Sequence, residues 1–62
     1  MITIWHLIEE GFTVEFLPNE HQFIIEVIDT KTNTGFTSHG RNYQQLWSNA
    51  QIEYDKYKQN RK

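Results

Sequence analysis

The sequence predicts an α+β domain in which a long C-terminal amphipathic helix packs on one face of a three-stranded antiparallel meander. Two patterns predict this fold. Apolar residues recur every three or four positions after Gly40, which is the helical period, whereas two earlier segments alternate with the period of a strand. Turn sequences separate the predicted strands, so the connections are local. A chain of 62 residues also has room for only one small domain, here residues 1–62.

Residues 2–10 fit two kinds of element. A helix here would begin after the cap residue Thr3 and stop at Gly11. Its apolar stripe would consist of Ile4, Leu7 and Ile8. In a strand, Ile2, Ile4 and Ile8 would instead lie on the side opposite Trp5 and Leu7. The stripe and the glycine stop favour a short N-terminal helix, and an extra strand stays as the alternative.

Two strands follow, over residues 12–17 and 23–28. Pro18 and Asn19 between them are turn residues, so the strands form an antiparallel hairpin. The face predicted to meet the helix carries Phe12, Val14, Phe16, Phe23, Ile25 and Val27. The opposite face carries Leu17, Ile24 and Ile28, which call for cover because a solvated sheet face is normally polar. The cover is expected to be the N-terminal segment with Trp5, or a second copy of the chain.

The last two elements are a short third strand near residues 36–39 and a helix from Asn42 to about Lys58. Gly40 allows a sharp turn, and Asn42 with Gln45 fits a capping box. The stripe predicted to pack on the sheet consists of Tyr43, Leu46, Trp47, Ala50, Tyr54 and Tyr57. Ile52 falls on the opposite side. Residues 59–62 are predicted to be a frayed basic tail.

Charge is divided along the chain although the net charge is only −2. Residues 1–30 contain six acidic and no basic residues, a balance of −6, and residues 31–62 contain six basic and two acidic residues, a balance of +4. This division has two interpretations. The acidic residues face the basic helix end and maintain solubility, or the two-signed surface docks a charged partner, for which we expect another protein, small and basic. The candidate acidic surface is Glu15, Glu20 and Glu26. The candidate partner-binding residues are His39, Arg41, Ile52, Lys56 and Lys58.

The residue types that carry chemistry do not form a recognisable site. Cysteine is absent, which excludes disulfides and thiolate sites, and the three histidines lack the spacing of metal ligands. The three glycines match no phosphate-binding loop, and the sequence indicates no pair of carboxylates on a shared concave surface. We therefore predict a non-enzyme with no catalytic residue, metal or cofactor. No apolar run approaches the ~18 residues of a membrane span, so we expect no membrane association and a cytoplasmic location.

One segment carries a family resemblance. Residues 37–50, which follow the strand at residues 23–27, resemble the HicB-like antitoxin domain in the positions of Gly40, the cap residue Asn42 and the Asn49-Ala50 pair. The resemblance spans residues 11–58. It implies a module that neutralises a small RNA-cleaving protein and dimerises, for which Leu17, Ile24 and Ile28 are the candidate dimer face.

A second resemblance leads to the alternative function. The order α-β-β-β-α is similar to that of double-stranded RNA-binding domains. It implies a small nucleic-acid-binding module that would act through Arg41 and the basic residues from Lys56 to the end of the chain.

Overall fold

Two helices pack on one face of a three-stranded antiparallel sheet in the computed structural model, which describes residues 2–60. The elements in chain order are α1 (Ile4–Glu9), β1 (Phe12–Leu17), β2 (Phe23–Asp29), β3 (Thr34–Gly40) and α2 (Tyr43–Asn60). The strands lie in the order β1-β2-β3. The predicted fold class is confirmed, and the N-terminal element is the short helix rather than the strand.

The start and stop signals of α1 act as the sequence predicts. The Thr3 hydroxyl accepts a hydrogen bond from the backbone N–H of His6 at 3.2 Å. Gly11 has φ of +97°, in the region that favours glycine, and lets the chain turn into β1. A helix of six residues is unstable alone. Burial of Leu7, which has no exposed surface, therefore holds α1 in place.

Local hydrogen bonds fix both turns of the meander. In the first turn, the backbone N–H of His21 donates to the Asn19 side chain at 2.9 Å. In the second, the backbone N–H of Lys31 donates to the Asp29 carboxylate at 2.9 Å, and Asn33 adopts a positive φ of 58°. β3 is longer than predicted because it pairs with β2 along its whole length.

The start of α2 differs slightly from a capping box. The Asn42 side chain accepts from the backbone N–H of Gln45 at 2.8 Å, as expected of a cap. The Gln45 side chain, however, accepts from the backbone N–H of Arg41 at 2.6 Å instead of that of Asn42. At the other end the helix includes Gln59 and Asn60 of the predicted tail, whereas residues 61–62 lie outside the described residues.

A single core lies between the helices and one sheet face, which we call the inner face. α2 packs along β3 and touches β2, while α1 contacts β1. The buried Ser38 hydroxyl of β3 donates to the Leu46 carbonyl of α2 at 3.1 Å. The buried apolar residues come from the N-terminal segment, both helices, β1 and β2: Ile2, Leu7, Phe12, Ile25, Val27, Leu46, Trp47 and Ala50.

Four side chains predicted to face this core are instead about half exposed: Ile8 of the predicted α1 stripe, and the aromatic residues Phe16, Phe23 and Tyr43. The reason is the size and place of the helices. α1 is only about 9 Å long, so it covers the start of β1 and not its end. α2 packs along β3 and reaches little of β2. The prediction that these four side chains are buried is wrong.

The other sheet face, which we call the outer face, carries neither helix. The sequence predicts that the N-terminal segment with Trp5 covers the outer face. Trp5 belongs to α1, however, which packs into the inner-face core, and its side chain is 71% exposed. That expectation is wrong. The sheet therefore has one covered and one open face.

Candidate protein-binding surfaces

The pairing register fixes which side chains form the outer face. Strand residues alternate between faces, and residues paired across strands share a face. Three cross-strand rows result: Leu17, Ile24 and His39; Glu15, Glu26 and Thr37; Thr13, Ile28 and Gly35. The outer face is thus an acidic row between two rows that each contain at least one aliphatic side chain.

Glu15 and Glu26 lie directly opposite each other in the acidic row. Like charges at such a position destabilise a sheet, because the Cβ atoms of directly opposed residues are only about 5 Å apart. The glutamates that form ion pairs within residues 2–60 are Glu10, Glu20 and Glu53, and neither member of this row is among them. Among residues 2–60, the two glutamates at the centre of the outer face therefore form no ion pair with a basic side chain.

Two sets of candidate residues coincide on this face. The predicted dimer face (Leu17, Ile24 and Ile28) and two of the three predicted acidic residues are neighbours on the same strands. Glu20 is separate, since it lies in the hairpin turn, where its carboxylate is 4.0 Å from His21. Sequence alternation predicts the shared face. Only the pairing register shows that the two glutamates are opposed.

The five candidate partner-binding residues do not form one site. His39 and Ile52 share a depression of about 240 Å³ between β3 and α2, and Ile52 is half exposed, as predicted. Lys56 pairs with Glu53 on the same helix at 3.7 Å. Lys58 reaches α1, and Arg41 lies beside the first hairpin turn. These residues occupy different sides of the domain.

Within residues 2–60, Arg41 lies apart from the lysines that the nucleic-acid alternative uses. Arg41 and Lys58 lie at opposite ends of α2, roughly 25 Å apart. Both Lys56 and Lys58 already pair with carboxylates. Residues 61–62 of the predicted basic segment lie outside the described residues. The nucleic-acid alternative stays a prediction without a specific geometric feature in its favour.

An apolar groove that sequence reasoning missed lies at the start of both helices. Its volume is about 660 Å³, and Trp5 and Tyr43, which are largely exposed, line it. Trp47 forms part of its lining, and the buried indole N–H of this residue has no hydrogen-bond partner among residues 2–60. The remaining lining residues are Ile2, Thr3, Ile4 and Gln44. One signal was available, since Trp5 does not fall on the stripe of Ile4, Leu7 and Ile8.

A polar cluster of four side chains, the helix clasp, joins α1 to α2. The Tyr54 hydroxyl donates to the Glu10 carboxylate at 2.6 Å and lies 3.2 Å from His6 Nε2. The Lys58 ammonium donates to the other Glu10 oxygen at 3.3 Å and lies over the Tyr54 ring. The contacts of Tyr54 with Glu10 and His6, and of Lys58 with Glu10, join the α1 segment to α2, whereas the contact between Lys58 and Tyr54 stays within α2.

The electrostatics of the helix clasp favour a structural role. The hydrogen bond from Tyr54 lowers the pKa of Glu10 below its ordinary value, with Lys58 acting in the same direction against partial burial. Burial, together with the negative Glu10, raises the pKa of Tyr54 to about 12. Around neutral pH the phenol therefore stays protonated and the carboxylate stays charged, which maintains the hydrogen bond between them.

Neither a metal centre nor a membrane span is found in the part of the chain that the structure describes. No three histidine, aspartate or glutamate side chains in residues 2–60 gather as metal ligands would. Neither α1 nor α2 has the length and apolar character needed to cross a membrane. Comparison with known proteins gives no match to a family model, to a curated protein or to a solved structure.

Proposed function

We propose that this chain is a non-enzymatic protein-interaction module that acts by occluding a surface of a partner protein. The observation that carries the proposal is the apolar surface left open on a very small domain. Among residues 2–60, six large apolar side chains are about half exposed or more: Trp5, Ile8, Phe16, Phe23, Tyr43 and Ile52. Trp5 and Tyr43 line one groove, and Phe16 and Phe23 line one depression beside the first hairpin turn. Exposed apolar side chains that share a surface in this way mark interaction sites in soluble proteins.

Occlusion is the mode of action that this surface supports. The outer face carries neither helix and the apolar groove is open to solvent, so both suit contact with another folded surface better than enclosure of a small substrate. The resemblance of residues 11–58 to the HicB-like antitoxin domain makes an RNA-cleaving protein the first partner class to test.

The test is purification of the tagged full-length chain from its native cells, followed by an assay of the protein that copurifies. We expect a stable complex and inhibition of the partner's own activity that saturates at a fixed ratio of domain to partner. Inhibition by occlusion requires stoichiometric amounts. A full effect at a small fraction of the partner concentration would indicate turnover and contradict the proposal.

A salt titration with duplex RNA and duplex DNA serves as the counter-test. Binding to phosphates weakens steeply with salt, and a protein that uses Arg41 and Lys58 for such contacts loses affinity when either becomes alanine. Micromolar or tighter binding to either duplex, weakened by Arg41→Ala or Lys58→Ala, would favour the nucleic-acid alternative over protein occlusion.

A further inference from the structure

The outer face has a chemical pattern more specific than exposed apolar surface. Along β2 the outward side chains are Ile24, Glu26 and Ile28, an acid between two aliphatic residues over about 13 Å. On β1, Glu15 and Leu17 continue the same two rows. The face therefore presents two adjacent carboxylates with aliphatic contacts on either side.

This pattern is unfavourable in the isolated domain. The carboxylates repel each other across the ladder, and none of the ion pairs within residues 2–60 includes either of them. The half-buried Leu17, Ile24 and Ile28 stay in contact with water because both helices lie on the inner face. A bound segment that brought both positive charge and apolar side chains would relieve both penalties at once.

We infer that the outer face binds a segment of a partner protein in which two lysine or arginine side chains lie between aliphatic residues. The cations meet Glu15 and Glu26, and the aliphatic ends pack on Ile24 and Ile28. The inference rests on the proposed function and adds to it the chemistry of the partner and the place where it binds.

Charge complementarity favours this occupant over two others. A second copy of the chain placed face to face would bring four carboxylates together, and the three outer-face rows contain no lysine or arginine to balance them. A nucleic acid would place phosphates against the glutamates. A basic peptide segment alone both neutralises the acidic row and covers the aliphatic rows.

A peptide selection tests the inference even while the natural partner is unidentified. A random library of 16-residue peptides displayed on phage is selected against the immobilised full chain, and the peptides that emerge are synthesised as probes. We expect the selected peptides to carry at least two basic residues with aliphatic neighbours. In labelled protein, we expect their binding to shift the backbone NMR signals of Leu17, Ile24 and Ile28.

The decisive comparison uses two double variants of equal net charge. In Glu15→Gln/Glu26→Gln, which keeps the shape of the face, the affinity for the selected peptide should fall at least about tenfold, because two charge-assisted contacts are lost. In Glu9→Gln/Glu20→Gln, which alters α1 and the hairpin turn, the affinity should change less than about twofold. Circular dichroism confirms that both variants are folded.

Three results would overturn the inference: no basic peptide is selected, the selected peptides bind the apolar groove, or both double variants bind alike. The host partner separates this failure from that of the proposed function. A partner that copurifies and binds Glu15→Gln/Glu26→Gln as tightly as the original chain leaves the proposed function standing and removes only the outer-face assignment. If basic peptides are selected but no partner copurifies, the outer-face assignment stands and the proposed function is removed.

Discussion

Gly40 is required for space rather than for an unusual backbone conformation. The sequence suggests that it allows a sharp turn, but among residues 2–60 the glycine with positive φ is Gly11. A Cβ atom at position 40 would collide with the backbone of Gln45 and Leu46, because the first turns of α2 pack directly on the end of β3. The close approach of helix and strand at this residue also positions the Ser38 hydrogen bond to α2.

Alanine substitutions at the two glycines separate these physical reasons. Gly40→Ala should destabilise the domain by about 3 kcal/mol, because backbone atoms of α2 must move to admit the methyl group. Gly11→Ala should cost about 1 kcal/mol, since its added methyl meets no atom within 4 Å and the penalty is the left-handed conformation. Urea unfolding followed by circular dichroism measures both. Equal losses in the two variants would contradict the steric explanation for Gly40.

At the scale of the elements, the helix clasp should account for part of the attachment of α1. Tyr54→Phe removes the hydroxyl that donates to Glu10 while it keeps the ring against Phe36. We expect a loss of about 1 kcal/mol, equivalent to a fall in Tm of about 6 °C in a domain of this size. Tyr57→Phe is the matched control, because its hydroxyl contacts the exposed Thr34 rather than a charged group, and its loss should be smaller. Equal losses in the two variants would contradict the role of the Glu10 contact.

The same cluster predicts how stability depends on pH. The pKa of Glu10 is lowered in the folded domain, chiefly by the hydrogen bond from Tyr54. Its contribution to stability is therefore complete above its ordinary pKa of 4.5 and is lost as the pH falls through the lower, folded value. Thermal melts from pH 7 to pH 3 should show a steeper acid decline for the original chain than for Glu10→Gln. Parallel declines in the two proteins would refute this role of Glu10.

The sheet should become more stable when its acidic row is neutralised. Glu26→Gln removes the repulsion from Glu15 and should raise the free energy of unfolding by about 0.5 kcal/mol, or Tm by about 3 °C. Glu20→Gln in the exposed turn should leave Tm within about 1 °C. Differential scanning calorimetry at low salt makes the comparison. A lower Tm for Glu26→Gln would mean that the carboxylate has a stabilising partner and that the outer face is not strained.

The element scale also shows what sequence patterns can and cannot predict here. Periodicity predicts β1, β2 and α2, and the apolar stripe with its glycine stop favours α1 over a strand. The cap residues Thr3 and Asn42 lie where expected, because these signals are local. Burial depends on where helices end over the sheet, so Phe16 is exposed although its spacing fits the core. Alternation also places Glu15 and Glu26 on one face. Their direct opposition follows from a register that is set between strands rather than within one.

At the scale of the whole molecule, the division of charge predicted from the sequence acts in two ways. Glu10 of the acidic half pairs with Lys58 of the basic half and joins the two ends of the fold. Glu15 and Glu26 of the acidic half stay together on the outer face, apart from the lysines that form ion pairs on α2. Part of the charge division therefore stabilises the fold, and part remains available to a partner.

The association state of the free chain follows from that remaining charge. The candidate dimer face formed by Leu17, Ile24 and Ile28 surrounds the two glutamates, so pairing through it would bring four carboxylates into contact. We expect sedimentation equilibrium at neutral pH to show a monomer at concentrations up to about 100 µM. A dimer would be detected at this concentration if its Kd were about 100 µM or tighter. Glu15→Gln/Glu26→Gln should dimerise more readily, because its aliphatic rows are then free of the repulsion. Glu9→Gln/Glu20→Gln, with the same net charge, should stay monomeric. A dimer of the original chain that weakens when Ile24 becomes lysine would show instead that the outer face is a homodimer interface.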